Sequence, residues 1–240
     1  MADALPNNRV VGIILDDMSV NVASLQSSAY FSGLSSEELD SIRKFIFEKA
    51  AARGEIILFE GEPAEAVYFV VSGVVKIFKT SADGKEQILY LARPGDSFND
   101  VPVFDGGLSL ASAEALTQVA LYGVKKGDLE TNLQECPKLA MNVARVLSQR
   151  IEQVISLVED LSFRRVTNRV AKILLENSED THEQKHRLTQ QEMAAMAGTA
   201  REMIGRSLKL LEEEGKVRLE RNRIVITDEK GLREVAGVGV

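Results

Sequence analysis

The feature that most constrains this chain is a change in the period of its apolar residues. Between Gly54 and Gly127, glycines at 54, 61, 73, 84, 95, 106 and 107 punctuate β-branched and aromatic runs such as Val67-Tyr68-Phe69-Val70-Val71 and Val74-Val75-Lys76-Ile77-Phe78. Runs this short and this often broken predict strands joined by tight turns, which close on themselves as an antiparallel β-roll or barrel. Ala82-Asp83-Gly84-Lys85 reads as the tip of one hairpin. From Pro137 the spacing lengthens. Ala144, Leu147, Ile151, Val154, Val158 and Leu161 alternate steps of three and four, which is the seam of a coiled coil. Val143, Val146, Ile155 and Leu157 widen that stripe enough for the helix to serve both a β-roll and a second copy of itself. The expected dimer seam is Leu147, Ile151, Val154, Val158 and Leu161.

Capping signals place the flanking helices. Ser35 with Glu38 forms a capping box ahead of a short helix before the roll. Beyond the long helix, Thr189-Gln190-Gln191-Glu192 starts a helix ending near Ala197, Gly198 supplies a left-handed turn, and Thr199-Ala200-Arg201-Glu202 reads as a second capping box. Small Ala194, Gly198 and apolar Ile204 at this separation predict a helix-turn-helix. Val217 to Leu219 and Ile224 to Ile226, split by Arg221-Asn222-Arg223, then read as a two-stranded wing. The expected class is α+β, divided into an extension over 1–29, a β-roll over 30–135, a dimerisation helix over 136–163 and a winged helix-turn-helix over 164–240.

Charge divides along the same line. The chain carries −7 overall, yet residues 1–163 hold 14 basic against 23 acidic groups while 164–227 hold 13 against 10. An acidic body with a basic head fits a polyanion-binding module. No run of apolar residues is long enough to span a bilayer and the N-terminus has no secretory pattern, so a cytoplasmic, non-membrane protein is expected. One cysteine, Cys136, and two histidines, His182 and His186, exclude a disulfide framework, an iron–sulfur cluster and a histidine-ligated haem within the roll. Neither a catalytic set nor a metal set emerges, no cofactor is expected, and a metal-dependent enzyme built on the roll lacks its ligands.

At the start of the second helix of the pair, Arg201, Glu202 and Arg206 are expected on one exposed face, with Ile204 and Leu208 turned to the core. Arginine can pair with guanine O6 and N7, and glutamate can accept from cytosine N4, so the trio suits the major groove of double-stranded DNA. Thr189, Thr199, Lys209 and Arg221 complete the expected DNA-binding set, with Arg221 and Lys216 read as phosphate contacts.

A β-roll, a long helix and a winged helix-turn-helix in this order resemble the catabolite-activator and fumarate-nitrate-regulator (CRP/FNR) family of bacterial transcription factors. The resemblance rests on Gly54-Glu55-Ile56-Ile57, Gly61-Glu62-Pro63, Val67 to Lys76, Pro94-Gly95-Asp96 and Ala200-Arg201-Glu202-Met203-Ile204-Gly205-Arg206. It implies a homodimer, RNA polymerase as a protein partner and, from Arg201-Glu202 and Gly205-Arg206, half-sites resembling TGTGA. The family's cyclic-nucleotide cassette departs here. Aligned on Phe104, its glycine-glutamate falls on Asn99-Asp100 and its phosphate-binding arginine-serine on Leu110-Ala111, while the polar pair of the long helix is Val154-Ile155. No Lys or Arg occurs from Pro94 to Val124, and a buried phosphate without a cation is costly. The expected effector pocket is Asn99, Asp100, Leu110, Ala111, Arg150, Val154 and Ile155. It is expected to take a less anionic small molecule or a carboxylate held by Arg150 or Lys76. The alternatives are a pocket filled by Leu110, Val154, Ile155 and Val158, oxidation at Cys136, or an adaptor without DNA binding.

Overall fold

A computed structural model describes residues 22–178, 186–221 and 223–237. His182 and most of the expected N-terminal extension lie outside them. The chain opens with α1 (Val22–Gln26), a 3-10 turn (Ala29–Phe31) and α2 (Ser36–Arg43), then β1 (Ile46–Ala51), β2 (Ile56–Leu58), β3 (Ala66–Ser72), β4 (Val75–Thr80), β5 (Glu86–Ala92) and β6 (Ser97–Phe98). Short α3 (Asp100–Asp105) leads into β7 (Ser112–Ala115), β8 (Val119–Lys125), α4 (Lys126–Glu135) and α5 (Pro137–Phe163). The C-terminal head comprises α6 (Val166–Ser178), α7 (Gln190–Ala197), α8 (Arg201–Glu213), β9 (Val217–Glu220), β10 (Arg223–Ile226) and α9 (Glu229–Ala236).

The strands form two antiparallel four-stranded sheets, ordered β1-β8-β3-β6 and β2-β7-β4-β5. β3 is apolar almost without alternation because both its faces are covered. Val67 and Phe69 join Tyr30, Phe31, Tyr122, Leu139, Val143 and Val146 in a core beneath α5 and the N-terminal segment. Val70 instead points between the sheets, with Val75, Ile77, Phe98, Ala113 and Leu121. Gly123 faces Phe47 across the β1–β8 ladder. A Cβ there would come within 2.2 Å of the Phe47 ring, so this close approach admits only glycine.

Ser35 and Glu38 form the expected reciprocal cap of α2. Pro137 begins α5, where its missing N–H would have had no intrahelical partner. Along α5, Leu139, Val143 and Val146 are buried. Leu147, expected in the seam, is half-buried and packs against the same β-roll core. Its position on α5 turns toward the roll, so the uncovered stripe is Ile151, Val154, Ile155, Val158 and Leu161, with Met141 before it.

The head has its own core, where Ile204, Leu208 and Leu211 of α8 meet Val170, Met193, Ala194, Ala197 and Leu232. It joins α5 at Asp160, whose carboxylate meets Lys172 at 2.5 Å and Arg164 at 2.9 Å. It also rests on the roll: Ala195 of α7 shares an apolar cluster with Phe78, Ile88 and Leu91, Gln87 donates to the Met196 carbonyl, and Arg93 donates to Asn177 at 2.6 Å. Among the described residues no helix is long and apolar enough to cross a membrane.

Candidate DNA-reading face and effector cavity

The first helix of the pair is held by a full capping box. The Thr189 hydroxyl accepts from the Glu192 N–H at 3.1 Å, and the Glu192 carboxylate accepts from the Thr189 N–H. The other Glu192 oxygen lies 2.9 Å from His186 Nε2. Burial alone would raise the Glu192 pKa, but the hydrogen bonds from His186 and Thr189 outweigh it and hold the carboxyl below its usual range. The turn is made by Gly198 at φ +61, where an added Cβ would lie 2.6 Å from Leu161 Cδ2. The expected second capping box does not form. Ala200 is the N-cap of α8 and no side chain caps it. The chain enters α8 one residue later than the Thr199 pattern implied, which leaves that hydroxyl uninvolved in the helix cap.

α8 divides cleanly. Ile204, Ser207, Leu208 and Leu211 are buried, while Arg201, Glu202, Arg206 and Lys209 are exposed. Lys209 lies 3.8 Å from Glu213. Among the described residues the one side-chain partner of Arg206 is a weak contact to the Met203 sulfur at 4.0 Å. In the wing, Glu220 binds both Arg218 and Arg223, and Arg221 at the tip is exposed. Lys216, expected at a DNA phosphate, has an ion-pair partner within the head. It donates to Asp228 Oδ2 at 2.7 Å, and Asp228 itself caps α9 through the Gly231 N–H, so Lys216 fastens the wing to the last helix.

Where the roll meets α5 there is a cavity of about 260 Å³. The structure brings Asn99, Asp100, Leu110, Ala111, Arg150 and Val154 of the expected pocket to its wall, together with Tyr90, Phe98, Val101, Gln153 and Leu157. Ile155 is not on the wall; one step round the helix from Val154, it faces outward with the exposed apolar stripe. The expectation that Leu110, Val154, Ile155 and Val158 fill the space is also corrected, because each is more than half exposed. Asn99 adopts φ +64, a left-handed conformation that asparagine tolerates better than most residues, and it donates to the Ala66 carbonyl. That turn sends Asp100 inward, where Tyr30 donates to it at 2.6 Å and Arg150 lies 3.9 Å away. Arg150 also donates to Gln153 and to the Ser97 carbonyl and sits 4.0 Å above the Tyr90 ring. Burial pushes the Tyr90 phenol well above the usual range, so it stays uncharged.

Lys76 does not reach the cavity wall. It is buried between Glu86 at 3.0 Å and Glu114 at 2.8 Å. Burial favours its neutral form, but the two carboxylates outweigh this and hold the ammonium above the usual lysine range. It is therefore not available to a ligand. The widened apolar stripe of α5 is a sequence signal for Leu157 on this wall, whereas Tyr90, Phe98 and Gln153 reach it only through the fold.

Comparison with known proteins bears on both sites. The cyclic nucleotide-binding domain family matches residues 48–136, and the Crp-like helix-turn-helix domain family matches 168–235. The cyclic AMP receptor protein of Thermus thermophilus is 32% identical over 88% of this chain and 98% of its own length. This chain is a CRP/FNR-family transcription regulator. A CRP-like cAMP-activated global transcriptional regulator of Mycobacterium tuberculosis is 30% identical over 87% of this chain and 96% of its own. A solved CRP/FNR-family regulator from Thermus thermophilus superposes with a TM-score of 0.68 at 31% identity, covering 80% of this chain and 98% of that one. FixK2 of Bradyrhizobium japonicum gives 0.71 at 25%, covering 81% and 99%. As a CRP/FNR-type regulator the protein binds DNA through the winged head, and its relatives are regulators rather than enzymes.

Proposed function

We propose that this CRP/FNR regulator acts as a homodimer on a palindrome with TGTGA-like half-sites, and that cyclic AMP is not its effector. The exposed trio Arg201, Glu202 and Arg206 at the start of α8 carries the reading. Among the described residues no carboxylate forms an ion pair with either arginine, so both guanidinium groups remain available to base edges. Two heads related by a two-fold axis would present their α8 helices about one DNA turn apart, roughly 34 Å. Ile151, Val154, Ile155 and Val158 supply an apolar face for that axis. Thr189, Thr199, Lys209 and Arg221 surround the trio as backbone contacts, and RNA polymerase is the expected protein partner.

The effector cavity and the seam share α5. Arg150, Gln153, Val154 and Leu157 line the cavity, and Asp160 ties the same helix to Arg164 and Lys172 of the head. A ligand that favours one packing of α5 therefore shifts the population of head orientations through the 163–166 link, by no more than its difference in affinity for the two states. Against cyclic AMP stand Leu110 and Ala111 at the positions of the family's phosphate group partners. The test is fluorescence anisotropy with a labelled TGTGA palindrome and a scrambled duplex. A preference of about a thousandfold or more is expected, unchanged by cyclic AMP. Equal affinity for the two duplexes overturns the DNA reading, and tighter binding with cyclic AMP overturns the effector reading.

A further inference from the structure

The cavity wall carries one acid and one base, Asp100 and Arg150, and they already face each other at 3.9 Å. Asp100 is 3% exposed and its other oxygen is held by the Tyr30 hydroxyl at 2.6 Å. The formal charge of the wall is therefore zero. The rest is aliphatic or aromatic, or carries amides: Leu58, Ile77, Phe98, Leu110 and Val154 are on the wall, with Asn99 and Gln153 as the amides. An anion entering here would place a second negative charge beside Arg150 with no second cation to match it, and desolvation in an apolar cavity would not be offset.

Arg150 nevertheless calls for an acceptor. One of its terminal nitrogens donates to Gln153 and the other to the Ser97 carbonyl. The guanidinium has further N–H groups, and among the described residues no further protein acceptor lies within hydrogen-bond distance of them, the Asp100 carboxylate standing off at 3.9 Å. Its plane is braced over Tyr90 at 4.0 Å, so those donors are fixed in direction.

We infer that the cavity takes an uncharged, mostly apolar molecule carrying one hydrogen-bond acceptor, set against Arg150, and not a cyclic nucleotide or another anion. This rests on the reading that the cavity is the effector site. An aromatic ketone, amide or lactone has the required chemistry: an acceptor for the guanidinium and an apolar body for the leucine, valine and aromatic walls. Its binding leaves the Asp100–Arg150 pair in place and adds no net charge.

The experiment is a fluorescence titration of the full chain with two probes. One is 6-propionyl-2-dimethylaminonaphthalene, an uncharged aromatic ketone, and the other is 8-anilinonaphthalene-1-sulfonate, an aromatic anion of similar size. Only signal removed by Ala111→Trp, which fills the cavity from its rim, is counted, so probe adhering to the exposed seam is excluded. The ketone should bind with blue-shifted emission, at least about tenfold tighter than the sulfonate, and calorimetry with cyclic AMP should give no binding heat. Leu110→Arg, at a position more than half exposed, should reverse the order by adding the missing cation. Ketone binding indifferent to Ala111→Trp, sulfonate or cyclic AMP binding to the unaltered chain as tightly as the ketone, or no reversal in Leu110→Arg overturns the inference. DNA is absent from the titration. A failed palindrome assay therefore sinks the DNA reading alone, and ketone binding without any change in DNA affinity sinks the effector reading alone.

Discussion

Val158→Glu should convert the regulator to monomers, and the exposures along α5 set the size of the effect. Ile151, Val154, Ile155 and Val158 are 61%, 55%, 55% and 57% exposed. Burying a whole side chain of this kind is worth about 1.5 to 3 kcal/mol, so covering the exposed half contributes about 1 kcal/mol each. Taken over both protomers the stripe supplies roughly 8 kcal/mol, which must overcome an association cost of about 4 to 15 kcal/mol. The substitution removes about 2 kcal/mol of that across the pair. It also sets two carboxylates in an apolar seam at several kcal/mol each. A dimer dissociation constant raised by at least about a thousandfold follows. Sedimentation equilibrium reads it directly, and circular dichroism should report an unchanged fold because Val158 is not part of either β-roll core. Leu147→Glu provides the contrast: it faces the roll core and should lower thermal stability of the roll itself. A Val158→Glu protein with the dimer affinity of the unaltered chain would refute the assignment of this face.

Gly123→Ala should destabilise the roll by about 1 to 3 kcal/mol through overpacking on Phe47, and Phe47→Leu should recover part of the loss in a urea melt. Thr189→Ala should cost the head about 1 kcal/mol by removing the α7 cap, read as a lower melting temperature. The Glu192 carboxyl is held below its ordinary range, so its stabilisation is complete above the unfolded value and is lost as pH falls through the lower native value. Glu192→Gln should therefore flatten the acid limb of the stability curve, and an unchanged limb would count against this cap. Lys216→Ala should lower stability and leave the salt dependence of DNA binding alone, whereas Arg221→Ala should weaken all sequences alike and reduce the salt slope by about one.

Much of the architecture was legible because the responsible signals are local. Glycine spacing marked the strands, Ser35 with Glu38 and Thr189 with Glu192 marked helix starts, and Gly198 marked the turn. The failures were failures of direction. Leu147 fits the seam by spacing alone, but the face it occupies depends on where the roll lies beneath α5. Thr199 and Glu202 have the capping spacing, yet the Gly198 turn shifts entry into α8 to Ala200. Lys76 looked available until β4 was paired between β5 and β7, which brings Glu86 and Glu114 onto it. The Arg150–Asp100–Tyr30 constellation joins residues from the N-terminal turn, α3 and α5, and no pattern in the chain reports a contact across 70 positions.

A coupled measurement on Arg206 tests base readout by α8 most directly. Binding of the unaltered regulator and of Arg206→Ala is measured on the TGTGA-like palindrome and on the same duplex with 7-deazaguanine in place of the contacted guanine. That base lacks the N7 acceptor but keeps its Watson–Crick pair. Arg206→Ala removes both bonds of the bidentate contact and should cost about 1 to 3 kcal/mol; 7-deazaguanine removes the N7 bond alone and should cost part of that, and the double change should cost little more than Arg206→Ala by itself. Additive losses, or an Arg206→Ala loss equal on specific and random DNA, would contradict the account.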